Sequence, residues 1–364
     1  MSIFELMGQF DHEQVVFCHD KSVGLKAIIA IHNTTLGPAL GGTRMRVYKS
    51  EEDALLDALR LSRGMTYKAA VAGLNLGGGK AVIMGNPDTD KSEALFRSFG
   101  RFIEGLAGRY ITAEDSGTNV RDIEYIHMET KHVRGLSVSL GGSGDPSPVT
   151  ATGVYCGIKA CAKEKYGNDS LEGLTISVQG VGQVGKYLVD DILTEKPAKL
   201  YLTDVRKESV DNAAEKCRQA GVEFEILDPS TNDIYTKKGH IFAPCAFGQI
   251  INDETLKDFN YDIIAGAANN QLEIPEIHGK IVKEMNILYA PDYVINGGGL
   301  INVGNELLGY TRERSMEHTK NIYNSLLEIF QIAKKENITT DVASNRLAEK
   351  RMVQLSGIKR VYLK

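Results

Sequence analysis

The stretch TISVQGVGQVGKYLVDDIL, Thr175–Leu193, decides the fold. Leu174–Gln179 is an apolar, β-branched run and reads as a strand. Gly180, Gly182 and Gly185 follow at G-x-G-x-x-G spacing, and Gly182–Leu193 has helical periodicity. A second strand, Lys199–Thr203, ends at Asp204, 19 positions beyond Gly185. A glycine turn of this spacing is common by itself. With a strand before it, a helix after it and an acid closing the next strand, it becomes a dinucleotide fingerprint. Gly180 permits a tight turn, Gly182 lets a pyrophosphate approach the backbone, and Gly185 allows close helix–strand packing. The cofactor-binding segment is then Gly180, Val181, Gly182, Gln183, Val184, Gly185 and Lys186, with the helix N-terminus facing the phosphates. Asp204 suits ribose hydroxyls and repels a 2′-phosphate. That points to NAD, with Arg206 arguing faintly for NADP.

Downstream, helix Lys207–Ala220 and strands Val222–Ile226, His240–Ala243, Tyr261–Ala265 and Ile287–Ala290 continue the alternation. Such a pattern predicts a doubly wound parallel sheet. Upstream, Lys26–His32 and Ala81–Met84 read as strands. Ser50–Tyr67 reads as a helix capped by Ser50, and Glu93–Leu106 as a helix with Leu95, Phe96, Phe99 and Phe102 on one stripe. The run Gly141–Pro148 (GGSGDPSP) interrupts regular structure. The expectation is a two-domain α/β protein. The expected division is an N-terminal α/β domain over residues 1–135, completed by C-terminal helices from about 335, and a Rossmann-type NAD domain over 136–334.

Composition narrows the class. A chain of 364 residues with 42% apolar and 24% charged residues suits a globular protein of two or three domains. A net charge of −5 gives no footprint for nucleic acid or an anionic membrane. No apolar run is long enough to span a bilayer, and Glu5, Asp11 and Glu13 interrupt the N-terminus where a signal peptide would be apolar. The five cysteines include no C-x-x-C pair, so no metal site is expected and a cytoplasmic setting fits.

Three polar residues stand out in the first half. Lys80 follows Gly77-Gly78-Gly79 directly before an apolar strand, Lys68 ends an amphipathic helix, and Asp115 lies in TAEDSG, Thr112–Gly117. Taken singly, each reads as well as a solvated lysine or a turn aspartate. Together with GPALGGTR (Gly37–Arg44), TYKAAVAGLNLGGGKAV (Thr66–Val82), GDPSP (Gly144–Pro148), GAANNQ (Gly266–Gln271) and PDYVINGGGLIN (Pro291–Asn302), they form an ordered set. This set resembles the glutamate/leucine/phenylalanine/valine dehydrogenase superfamily, most closely its leucine-specific branch, over nearly the whole chain.

The resemblance implies that Lys80 is the catalytic lysine, that Lys68 binds the substrate α-carboxylate, and that Asp115 shuttles protons at the amino group. It implies that Gly41 and Gly42 let substrate approach the backbone, and that Gly77 and Gly78 keep the loop before Lys80 close to the carboxylate. It also implies that Thr150 and Asn270 lie near the nicotinamide, that residues 1–135 with the C-terminal helices form the substrate and oligomerisation domain, and that the assembly is a homo-octamer. The implied chemistry is reversible oxidative deamination. A lysine at about 10.4 is a poor base near neutrality, and bringing it to about 8 means disfavouring its charge by roughly 3 kcal/mol. Cationic Lys68 and desolvation are the expected causes. Glutamate-specific relatives carry a lysine where this chain has Leu40 and a serine where it has Val294. Ala113 narrows the pocket where phenylalanine-specific relatives tend to have glycine. Leucine and other branched-chain L-amino acids are therefore the expected substrates, with phenylalanine or valine as the alternative on the same scaffold. A binding protein that senses NAD without turnover would leave Lys68, Lys80 and Asp115 unexplained.

Overall fold

The computed structural model describes residues 2–357. They fall into two compact units. Of the described residues, those up to Gly144, Val303–Arg312 and those from Ala348 onward make the first; Asp145–Asn302 and Glu313–Leu347 make the second. This corrects the boundaries expected from sequence at 135/136 and about 335. Residues 136–144 stay with the first unit because Glu306 accepts the backbone N–H of Gly135 and, at 2.7 Å, of Ser143. Of the described residues after Arg312, those from Ala348 onward return there. The Arg351 guanidinium donates to the carbonyls of Ala70 at 2.9 Å, Leu74 at 2.8 Å and Gly73 at 3.0 Å.

The first unit contains α1 (Ile3–Phe10), β1 (Gln14–Asp20), β2 (Leu25–Asn33), β3 (Ala39–Leu40), β4 (Thr43–Arg46), α2 (Glu51–Val71), β5 (Gly77–Met84), α3 (Glu93–Glu104), β6 (Tyr110–Ile111) and α4 (Val120–His127). Ser50 caps α2 by accepting from Asp53 N at 3.0 Å. The sheet runs β1-β2-β5-β3-β6, with β4 also on β5. β1, β2 and β5 pair antiparallel, and β3, β4 and β6 join in parallel. One face buries Ile29, Ile31, Ala81 and Ile83 with Phe96, Phe99 and Ile126 of α3 and α4. The other buries Ile28, Ala30 and Val82 with Leu55, Ala58 and Leu59 of α2.

Gly77–Gly79 are not a loop, as expected above, but the first half of β5 in the middle of this sheet. They pair despite poor strand propensity because their neighbours lie too close for any side chain. A methyl on Gly77 would strike Asn33 O, one on Gly78 the Thr66 amide nitrogen and Ser62 O, and one on Gly79 the Tyr110 ring at 2.7 Å.

The second unit contains α5 (Ser147–Tyr166), β7 (Thr175–Gln179), α6 (Gly185–Leu193), β8 (Lys199–Thr203), α7 (Lys207–Ala220), β9 (Glu223–Ile226), α8 (Asp233–Thr236), β10 (Gly239–Pro244), β11 (Tyr261–Ile264), α9 (Pro275–Glu284), β12 (Leu288–Tyr289) and α10 (Asp292–Ile295). The later helices are α11 (Gly298–Asn305), α12 (Arg312–Lys320), α13 (Ile322–Glu336) and α14 (Thr340–Ser356). Its sheet is parallel throughout, ordered β12-β11-β10-β7-β8-β9. Numbered within the unit this is 6-5-4-1-2-3, the doubly wound order whose switch point lies beside its first strand. Helix α6 starts at Gly185, three residues later than expected. Gly180 takes φ +93° and Val181 N donates to Asp204, so the turn is occupied before helical geometry begins.

Gly78→Ala should destabilise the fold by about 1–3 kcal/mol or more, seen as a lower thermal unfolding midpoint, because its methyl meets backbone that cannot swing aside. Gly64→Ala, in α2 with open space around the added methyl, should instead stabilise by about 0.5–1 kcal/mol. Equal midpoints for the two variants would refute the packing account of β5.

Candidate active site

The partner of β5 along one edge changes at Lys80. β3 pairs with Gly77 and Gly78, β4 with Ala81–Met84, and Gly41-Gly42 fill the gap between them. The segment 110–116 runs alongside, its carbonyls accepting Gly41 N at 3.1 Å from Ile111, Thr43 N at 2.8 Å from Ala113 and Met45 N at 3.0 Å from Ser116. These registers bring Asp115 to Lys80. The Lys80 ammonium lies 2.9 Å from Asp115 Oδ2, and Lys80 is only 5% exposed. Arg44, on β4, donates from Nε to the same oxygen at 2.9 Å. Its Nη1 reaches Asp57 of α2 at 3.1 Å, and the Tyr48 hydroxyl donates to Asp57 at 2.7 Å.

Burial pushes the Lys80 ammonium below its ordinary value; Asp115 pulls the other way, and the Arg44 cation reinforces the fall. Arg44 thus acts in the direction expected above of Lys68. Burial works against charge on Asp115 too, but Lys80 and Arg44 outweigh it and hold the carboxyl below the usual carboxylate range. The pair is therefore an anion beside a lysine that gives up its proton readily. That combination can accept one proton and relay another.

Lys68 stands half-buried in the last turn of α2. Leu40, 1% exposed, pairs with Gly78 and Ile111, and Ala113 lies on the segment before Asp115. The crowding that demands glycine at 41 and 42 comes from the protein's own backbone: a methyl on Gly41 would strike Gly79 O, and one on Gly42 would meet Glu114 O at 2.5 Å. Val294, 4% exposed, belongs to the second unit. Arg44, Asp57 and Tyr48 escaped the sequence reading. Arg44 lay inside a motif noticed for its glycines. The available signal was Asp57, a carboxylate between the buried residues Leu55 and Ala58.

In the second unit the fingerprint forms a cradle that side chains would fill. A methyl on Gly180 would meet Ala246 Cβ at 2.7 Å, one on Gly185 would strike Gly180 O, and one on Gly182 would strike the end of Arg206. Asp204 accepts Val181 N at 2.9 Å through Oδ2 and Arg206 N at 2.8 Å through Oδ1. Beside them opens a cavity of about 200 Å³ lined by Gly180, Asp204, Ser230, Tyr235 and Phe247. A tight glycine turn, a neighbouring guanidinium and a carboxylate at the cavity rim fit a dinucleotide. Thr150 Oγ1 donates to Pro146 O at 3.0 Å, and Thr150 packs on Gly298 and Gly299. Asn270 takes φ +52° in a loop that Asn296 ties down through Ala267 O at 3.0 Å and Asn269 Oδ1 at 2.7 Å. Among the described residues no helix is long and apolar enough to cross a membrane.

Comparison with known proteins places the chain in a family. Residues 12–132 match the Glu/Leu/Phe/Val dehydrogenase dimerisation domain, and 141–357 match the glutamate/leucine/phenylalanine/valine dehydrogenase domain. The chain is 58% identical to a leucine dehydrogenase of Geobacillus stearothermophilus, covering 97% of this chain and 94% of that protein. A phenylalanine dehydrogenase of Bacillus thermotolerans is more distant, at 47% over 96% of this chain and 90% of its own. The crystal structure of L-tryptophan dehydrogenase from Nostoc punctiforme superposes with a TM-score of 0.87 at 45% identity, covering 97% of this chain and 99% of that one. The chain is an amino acid dehydrogenase and belongs to the glutamate/leucine/phenylalanine/valine dehydrogenase family.

Proposed function

We propose that the chain oxidatively deaminates L-leucine and other branched-chain L-amino acids to 2-oxo acids and ammonia, reversibly and with NAD. The observation that carries the chemistry is the buried Lys80–Asp115 pair. Lys68 holds the α-carboxylate. Bound at the fingerprint through Gly180–Lys186, Asp204, Thr150 and Asn270, NAD supplies the hydride acceptor. Lys80 Nζ then takes a proton from the water that adds to Cα of the imino acid. Asp115, an anion at rest, takes a proton from the substrate ammonium before the hydride leaves Cα and returns it to the nitrogen once water has added. The carbinolamine then collapses to the 2-oxo acid and ammonia, its hydroxyl proton passing to the freed Asp115 carboxylate. The depressed affinity of Lys80 for its proton supports the transfer from water.

Leu40 and Val294 are the proposed apolar walls of the side-chain pocket, with Ala113 as its narrow point. Leu40 is buried without a charge at the position where glutamate-specific relatives hold lysine. The greater identity to a leucine dehydrogenase than to a phenylalanine dehydrogenase favours the branched-chain reading. Five free thiols and no membrane-crossing helix among the described residues fit a cytoplasmic enzyme, and the family resemblance suggests a homo-octamer.

NADH formation from L-leucine and NAD tests the activity directly. Lys80→Ala should abolish turnover with NAD affinity nearly intact; retention of more than about a tenth of kcat, about 1.4 kcal/mol, would remove Lys80 from the mechanism. Asp204→Ser should raise kcat/KM for NADP relative to NAD, and an unchanged ratio would place that carboxylate away from the ribose. Leu40→Lys should raise the glutamate-to-leucine ratio of kcat/KM by supplying a counter-charge, and adding Val294→Ser should raise it further. A ratio unmoved in both variants would locate the pocket elsewhere.

A further inference from the structure

We propose that Arg44 is a positioning residue: anchored by Asp57 and Tyr48, it holds Asp115 so that Oδ2 belongs to Lys80 and Oδ1 alone faces the substrate. The inference rests on the Lys80–Asp115 assignment above and adds to it which carboxylate oxygen moves the proton, and what fixes that choice.

Geometry makes the division. Arg44 Nε and Lys80 Nζ both reach Asp115 Oδ2, each at 2.9 Å. Among the described residues no side chain or backbone group donates to Oδ1, although the Asp115 side chain is 23% exposed. An oxygen held by two cations is the weaker base, so the exchangeable proton goes to Oδ1. Arg44 cannot follow Asp115 if it turns, because its Nη1 is fixed 3.1 Å from Asp57 Oδ2, which also accepts the Tyr48 hydroxyl at 2.7 Å. A planar guanidinium bridging two carboxylates sets direction as well as distance, which a lysine cannot reproduce. The cation serves Lys80 as well: it stands on the same face of the sheet, since Arg44 pairs with Val82 two residues along β5 from Lys80, and its charge disfavours a second one. The charged and titratable groups on the elements around Lys80 include Arg44, Arg46 and Tyr48 on β4 and the turn after it, Asp57, Arg60, Arg63, Tyr67 and Lys68 on α2, Lys26 and His32 on β2, Tyr110 on β6, and Glu114 beside Asp115. Of these, Asp57 opposes Arg44 in its effect on Lys80, which gives the proposal two arms of opposite sign.

The test follows Arg44→Gln, Arg44→Lys and Asp57→Asn in the full-length protein. One readout is the acid limb of kcat/KM for L-leucine. The other is the pH midpoint for carbamylation of Lys80 by cyanate, read by peptide mass spectrometry, which needs no turnover. Arg44→Gln should move both midpoints to higher pH by about one unit, so that kcat/KM below the limb falls about tenfold. Asp57→Asn should lower kcat while moving the midpoints to lower pH or leaving them in place. Arg44→Lys should keep the wild-type midpoint and still lose several-fold in kcat. Loss of kcat with both midpoints unmoved in Arg44→Gln, or an alkaline shift in Asp57→Asn, would overturn the proposal and leave Arg44 a packing residue. If Arg44→Gln does not fold, the other two variants decide by the same criteria. Wild type inactive on leucine but with the expected carbamylation shifts would count against the substrate reading and leave the Arg44 assignment standing.

Discussion

A lysine ammonium taken almost fully out of water is the constraint around which the first unit is arranged. Desolvating an isolated ammonium costs several kcal/mol even after relaxation, so Lys80 can stay at 5% exposure only with compensation close by. The compensation is a row of alternating charges, Lys80, Asp115, Arg44 and Asp57, joined by contacts of 2.9, 2.9 and 3.1 Å. Two cations and two anions sum to zero, so the cluster as a whole is tolerated where any member alone would not be. Apolar replacements often match or exceed the stability of such clusters. The arrangement is therefore better understood as a device for holding a readily deprotonated amine at a fixed place.

Holding it there dictates the glycines. Lys80 must project from a strand whose flanks are crossed by α2 on one face and Tyr110 on the other, and the three residues before it have no room for a methyl group. Gly41 and Gly42 have the same reason to lack side chains, seen from the neighbouring strands. The poor strand propensity of this region is offset by register: Leu40 opposite Gly78 and Thr43 opposite Ala81 pin the sheet on either side of the lysine. A slip of one residue would turn Lys80 into the Phe96 and Phe99 core.

The alternating stretch from β7 to α7 was legible in the sequence because its elements are periodic and local, whereas α5, α8 and α9 were not read. Lys199–Thr203 and Lys207–Ala220 come out with the ends expected, and the parallel order follows from the alternation. The first unit was less legible. Two-residue strands such as β3 and β6 have no period to read, and a triple glycine looks like a loop until its neighbours are known. Lys80 and Asp115 stood out in the sequence, and their expected roles came through resemblance. Their contact was not readable, since it depends on segments 35 residues apart meeting across β4. Arg44 was hidden for a similar reason: its partners, Asp57 and Asp115, come from a helix and a loop that only the folded sheet brings to one guanidinium. The C-terminal division was misjudged because helicity alone does not say which core a helix covers.

Charge and shape act at different levels of the proposed specificity. Exchanging a lysine for Leu40 changes whether a carboxylate-bearing side chain can be buried at all, an effect of several kcal/mol. Wall residues such as Ala113 alter the fit by single methylenes, worth about 1–3 kcal/mol each. The first decides a class of substrate and the second only grades members within it. Relatives that share this scaffold can therefore differ sharply between acidic and apolar amino acids while overlapping among apolar ones. In the proposed mechanism the proton-transfer cluster is indifferent to both, since it acts on the amino group and Cα that every amino acid carries.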